Sequence, residues 1–194
     1  ECGDSVGKNL LSVGVIEERK GFKHIARAVA RVAEGHELTW HVVGDGPLME
    51  WLVEFTEHQG LSEMVEFHGS VDHDRIPELY RMSDAFVLHS LETPTWEEYF
   101  GVVYAEAMSS CLPVIGSESG VIPWVVRDGT DGILVPEGDV EGIADGIDRV
   151  LDNESLRYEM GRNGRKNVED RFAMESVADT FVDTWRTAAQ RVKE

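Results

Sequence analysis

The stretch Glu98-Tyr99-Phe100-Gly101-Val102-Val103-Tyr104-Ala105-Glu106-Ala107-Met108 sets two carboxylates around a glycine turn and an apolar segment. Gly101 suits a strand-to-helix turn at which backbone can approach a ligand closely. A helix that starts behind it offers unpaired N–H groups and the positive end of its dipole, a ready place for a diphosphate. Glu106 lies among apolar residues, with no Lys or Arg within four positions on either side. A carboxylate so placed needs hydrogen-bond donors if it is buried. The adjacent hydroxyls of a ribose would supply two; the competing reading is a Glu106 that faces solvent.

The elements that must position these residues follow from hydrophobic patterning. Strands are expected over Leu10–Val15, Leu38–Val43, Met64–His68, Ala85–His89, Pro113–Gly116 and Gly132–Val135, each a short apolar run near a turn signal. Helical spacing is expected over Phe22–Val32, Leu48–His58, Ile76–Met82, Val102–Met108, Val140–Leu151, Ser155–Asn163 and Met174–Val192. Strands alternating with helices imply parallel strands joined by crossovers. The expected fold class is therefore α/β, a doubly wound, mostly parallel Rossmann-like sheet. Ligands of such sheets bind at the carboxyl ends of the strands. The turns after Gly14, Gly44, Gly69, Ser90 and Ser117 fall on that edge. The segment Leu91–Glu97, with Pro94 and Trp96, is expected there as a mobile lip or as an ordinary loop.

Composition narrows the function classes. The 194 residues carry 37 Asp and Glu against 18 Lys and Arg, a net charge of −19, and only five of the cations are lysines. The acids are spread over the expected helices, so they form no disordered tail. Such self-repulsion opposes compaction unless salt screens it, and the pattern resembles proteins of salt-loving microbes; an ordinarily acidic protein is the alternative. Non-specific nucleic-acid binding is disfavoured. No apolar run approaches the roughly 18 residues of a membrane helix. Cys2 and Cys111 are expected to be free thiols. The seven histidines show no metal-ligand spacing along the chain, and Gly44-x-Gly46 lacks the third glycine of a dinucleotide fingerprint.

The glutamates seven residues apart, with Phe-Gly after the first and Glu-Ala-Met at the second, resemble the signature of family 4 (group 1) GT-B retaining glycosyltransferases. Further segments resemble that family in order: Ser12-Val13-Gly14 with Lys20-Gly21, Val43-Gly44-Asp45-Gly46-Pro47, Phe67-His68-Gly69-Ser70-Val71, Leu79-Tyr80 with Ser83-Asp84-Ala85, Leu112-Pro113-Val114-Ile115, Asp131 to Pro136, and Arg171-Phe172. The resemblance implies that residues 1–194 are a C-terminal nucleotide-sugar-binding domain, with an acceptor-binding N-terminal domain absent from the chain. It implies that Glu106 holds the ribose and that Glu98 lies against the donor sugar as the catalytic carboxylate. It further implies that Lys20 and the amides of Phe100 and Gly101 hold the diphosphate, and that backbone around Val71 meets the base. For Glu98, a solvated loop acid beside Glu97 and Glu92 is the plainer reading; for Lys20, it is a surface lysine at a helix start.

The same resemblance implies no metal and no cofactor, since helix dipole, amides and cations carry the diphosphate. Partners would be a nucleotide-sugar donor, the chain's own N-terminal domain, and an acceptor such as a lipid, glycan or protein-linked sugar. A cytoplasmic location follows, with peripheral attachment to the cytoplasmic membrane face through the missing domain left open. The isolated domain is expected to transfer nothing. A non-catalytic α/β nucleotide-binding or signalling module, or a GT-B nucleotide-sugar epimerase, are the alternatives. Two departures from the family pattern matter. Val15 stands where the family has an arginine, so one prong of the phosphate clamp is missing. Gly120-Val121-Ile122-Pro123-Trp124 replaces Gly-Gly-x-x-Glu, so Val121 and Trp124 alter the sugar side.

Overall fold

A computed structural model describes residues 8–191. Six parallel strands form one sheet: β1 (Asn9–Val13), β2 (Thr39–Val43), β3 (Val65–Gly69), β4 (Ala85–Val87), β5 (Val114–Ser117) and β6 (Gly132–Val135), in the order β3-β2-β1-β4-β5-β6. The interior strands β4 and β5 are buried along their whole length, which is why they read as continuous apolar runs rather than alternating ones. The helices are α1 (Phe22–Val32), α2 (Met49–His58), α3 (Ile76–Met82), α4 (Val102–Ser109), α5 (Ile122–Val125), α6 (Val140–Asp152), α7 (Glu154–Arg171) and α8 (Met174–Arg191). The expected doubly wound α/β fold is the observed one.

The order reverses direction between β1 and β4. Strands that follow β1 in sequence are first added on one side and then on the other. The loops leaving these two neighbouring strands therefore diverge and open a crevice at their carboxyl ends. One chain of polar bonds runs across the sheet. Trp40 Nε1–H donates to Ser12 Oγ at 3.0 Å, and Ser12 Oγ–H donates to the Val87 carbonyl at 2.6 Å. This chain of bonds ties β2, β1 and β4 together without leaving a buried donor unpaired.

Several expectations need correction. The strand expected over Ala85–His89 ends at Val87, because the carbonyls of Leu88 and Ser90 accept from the Tyr104 hydroxyl, at 3.0 Å, and the Ser117 hydroxyl, at 2.5 Å. Helix α7 runs to Arg171 rather than stopping at Asn163. Its Gly161 and Gly164 are poor helix formers by about 1 kcal/mol each, but both are buried, and the missing side chains allow close packing. Helix α5 lies in a segment to which the patterning assigns no element. Cys111 is disulfide-bonded, not a free thiol; Cys2 lies outside the described residues. The C-terminal end of the last expected helix, Val192, lies outside the described residues.

Candidate functional site

The site is built where β1 and β4 part. After β1, Glu18–Lys20 form one 3-10 turn that ends on Gly21 at φ 69. A Cβ on Gly21 would lie 1.9 Å from the His89 carbonyl oxygen, so only glycine lets this turn press onto the chain leaving β4. The Leu91 N–H donates to the Arg19 carbonyl at 2.8 Å and fastens the two loops together. This docking carries Lys20 to Glu98, 78 positions away, where Nζ and Oε2 are 2.5 Å apart. Glu98 also accepts from Ser90 Oγ at 3.2 Å and is 9% exposed. It is no solvated loop acid, and Lys20, with a side chain 17% exposed, is no free surface lysine.

Behind Glu98 the chain turns at Gly101, φ 66, into α4. A Cβ there would meet the Tyr104 ring at 2.4 Å. No side chain caps this helix and its first turn holds no acid, in contrast to α6 and α7, capped by Asp139 and Asn153. The amides at the start of α4 thus keep their partial positive charge for a ligand. The Phe100 side chain turns away into an aromatic group, 5.3 Å from Phe172 and 6.5 Å from Trp124. Arg171 lies over both Trp124 and Phe172. Trp124 is therefore packed on one side and 56% exposed overall. The Val121 N–H donates to the Glu98 carbonyl at 3.2 Å, and Gly120 N–H to Glu92 Oε1 at 2.6 Å.

Glu106 is half-buried one turn into α4. It does have a partner in the chain: the Tyr80 hydroxyl donates to Oε2 at 3.0 Å. Burial, then the charge of Glu106, pushes the Tyr80 phenol far up, so it stays protonated and remains a donor. That leaves the carboxylate with further lone pairs to offer. Val71 lies two residues beyond β3, half-buried against the core. The structure brings Lys20 and Glu98 together directly, sets Phe100 and Gly101 in the turn that follows Glu98, and puts Glu106 on α4 behind that turn. Val71 sits on the loop after β3, at the same carboxyl edge.

Two participants escaped sequence reasoning. Trp96, on a turn closed by Thr93–Trp96 backbone bonds, lies under both cations: Arg19 Cζ is 4.5 Å and Lys20 Nζ 5.0 Å from its ring centroid. Arg19 also pairs with Glu17 at 2.7 Å, so it stands beside Lys20, while Val15 is half-exposed and offers no donor. His89 is the other. Its Nε2 accepts from the Gly138 N–H at 2.9 Å, and burial, reinforced by His24, lowers its pKa to about 4. A neutral imidazole thus stitches the end of β4 to the turn after β6. The sequence places Tyr80 only within a motif and Trp96 only within a loop; nothing in either local pattern names its partner.

The family model for group 1 glycosyl transferases matches residues 5–167. An uncharacterized glycosyltransferase of Methanocaldococcus jannaschii is 28% identical over 94% of this chain and 46% of its own length. The N-acetyl-alpha-D-glucosaminyl L-malate synthase of Bacillus anthracis is 30% identical over 90% of this chain and 44% of its own. The chain spans less than half the length of these two relatives. Among solved structures, the C-terminal domain of a group 1 glycosyl transferase from Francisella tularensis superposes with a TM-score of 0.78 at 27% identity, covering 88% of this chain and 89% of that one. Anabaena HepE in complex with UDP shares the fold, with a TM-score of 0.82 at 22% identity over 93% of this chain and 49% of that one. Fold, motif order and family match agree, and the chain belongs to the group 1 glycosyl transferases.

Proposed function

We propose that the chain is the donor-binding half of a retaining glycosyltransferase that takes its sugar from a nucleoside diphosphate. The observation that carries this reading is the Lys20–Glu98 pair at the switch in strand order, in front of the uncapped amino end of α4. A diphosphate fits between Lys20 and the Phe100 and Gly101 amides, the ribose hydroxyls fit Glu106, and the base follows the edge toward Val71. The sugar then lies against Glu98.

In this reading the bond between the anomeric carbon and the diphosphate oxygen breaks while the acceptor hydroxyl oxygen bonds to that carbon on the same face and passes its proton to the departing diphosphate oxygen. Negative charge grows on the departing diphosphate, and fixed donors aimed there lower the barrier. Glu98, held by Lys20 and Ser90, takes the sugar hydroxyls and steadies positive charge at the carbon. Diphosphate charge is met by amides, helix dipole and Lys20, so these contacts need no metal. HepE has been solved with UDP and with UDP-glucose, which supports a nucleotide sugar as the donor class. The acceptor belongs to a second domain, in keeping with relatives about twice as long. No helix among the described residues is long and apolar enough to cross a membrane.

The test is calorimetric titration of the protein carrying both halves with uridine, guanosine and adenosine diphosphates and their sugars. Binding of one base class, weakened by Lys20→Ala and Glu106→Ala, is expected. Failure of every nucleoside diphosphate to bind would overturn the reading in favour of a non-catalytic module.

A further inference from the structure

Away from the crevice, three side chains on the outer strands converge on one point. His41 on β2 is paired in register with Glu66 on β3, and parallel partners in register project to the same face of a sheet. His68 is the extra residue where β3 shifts register against Val42 and Val43, and this bulge aims its ring at His41. The approach is close: His41 Nδ1 lies 3.1 Å from His68 Nε2 and 3.3 Å from Glu66 Oε2, and His68 Nε2 lies 3.8 Å from the same oxygen. These are also the three ligand atoms that the described residues offer a metal ion within one small volume.

The distances match a coordination polyhedron better than a hydrogen-bonded cluster. With bonds of about 2.0–2.1 Å to nitrogen or carboxylate oxygen, the edge of a tetrahedron is about 3.4 Å. The three measured separations scatter about that edge. A single proton on His41 Nδ1 serves one neighbour well and leaves the other facing it poorly, whereas one cation satisfies three lone pairs at once. His41 is 2% exposed and its Nε2 has no partner among the described residues. With Nδ1 on a cation, the neutral ring keeps its proton on Nε2, whose N–H then has no outer acceptor among the described residues.

We infer that His41, Glu66 and His68 form a site for a divalent transition cation of the zinc class, clipping the edge strand β3 to β2 with one position open to water. Two imidazoles and one carboxylate suit zinc and its neighbours, and suit magnesium or calcium poorly. The site lies off the donor crevice and is independent of the donor reading. Its effect is on the sheet edge: β3 is bonded on one side only, and it leads, three residues after His68, to Val71. The histidine spacing along the chain carries no metal signature because the ligands come from two strands.

The test uses the chain freed of any affinity tag, stripped with chelator and titrated with Zn2+ in excess Mg2+. Magnesium occupies the many surface acids that would otherwise take up zinc. One zinc per chain is expected, together with a rise in the thermal midpoint, and Co2+ should give the intense visible bands of a tetrahedral site. His68→Ala and Glu66→Gln should each weaken zinc by more than the roughly 100-fold that loss of an outer-shell partner costs, and should abolish the thermal rise. Both change half-buried or exposed side chains, so the apo fold is retained. Absence of stoichiometric zinc in the unaltered chain would overturn the assignment, as would unchanged zinc affinity in both variants.

Discussion

Replacing Lys20 by Met separates the structural from the ligand-binding work of the cation at the crevice. In the native chain Nζ is 2.5 Å from Glu98 Oε2, and the two side chains are 17% and 10% exposed. After the change, Glu98 keeps the Ser90 hydroxyl, at 3.2 Å, as its side-chain partner. Removing one member of a buried pair costs about 3–5 kcal/mol. The remaining hydroxyl and the partial exposure put this case near the lower end, about 3 kcal/mol. Loss of the contact between Lys20 and the Trp96 ring adds about 0.5–1 kcal/mol. The double variant Lys20→Met/Glu98→Leu removes both charges and should recover most of the loss, since apolar replacements of buried pairs are close to neutral. Urea midpoints for the four members of the cycle give the coupling energy directly. Nucleoside diphosphate binding is measured on the same variants in the protein with both halves. Stability should return in the double variant and diphosphate binding should not. A Lys20→Met cost below about 1 kcal/mol would class the pair with exposed ion pairs and refute the structural argument. Donor binding that returns along with stability would refute the diphosphate role of Lys20.

At the ribose end, Glu106→Ala should lower donor affinity by about 1.5–3 kcal/mol for each charge-assisted bond lost, with Glu106→Gln milder. Tyr80→Phe, which removes the donor at 3.0 Å, should lower it less; calorimetry that finds all three unchanged removes the ribose role. Val15→Arg should tighten nucleoside diphosphates, while Arg19→Ala should weaken them less than Lys20→Ala; an inert Val15→Arg with a crippling Arg19→Ala would make Arg19 the second prong. His89 has its pKa depressed from 6.5 to about 4. Its contribution is therefore whole above pH 6.5 and is lost as pH falls toward 4, because the unfolded ring takes up a proton that the native ring refuses. The full difference is of the order of 3 kcal/mol. The urea midpoint of the native chain should drop between pH 7 and pH 5 relative to His89→Gln, a comparison that cancels the relief of acid repulsion; parallel profiles would contradict it. Finally, a net charge of −19 should raise the thermal midpoint steeply from dilute buffer to molar KCl, where the Debye length falls to about 3 Å. A midpoint indifferent to salt would remove the salt-adapted reading.

Local pattern determined a good deal of this protein by itself. Helices Phe22–Val32 and Ile76–Met82 and strand Gly132–Val135 have the bounds that their periodicity implies, because burial of one helix face or one sheet layer is written into every third, fourth or second residue. Alternation of the two patterns was enough for a parallel sheet, and parallel strands put the turns after Gly14, Gly44 and Gly69 on one edge. The glycine at position 101, before an apolar helix, marked where backbone and dipole would face a ligand. What tertiary structure alone decided is who meets whom. Lys20 reaches Glu98, Tyr80 reaches Glu106, His89 accepts from Gly138, and His41 joins Glu66 and His68. Each pairing joins segments from different strands or helices, and each depends on the order β3-β2-β1-β4-β5-β6. The disulfide at Cys111 and the glycines that let α7 pack closely were hidden for the same reason. Periodicity records how far each segment is buried, but neighbours in space are set by strand order, which no single segment encodes.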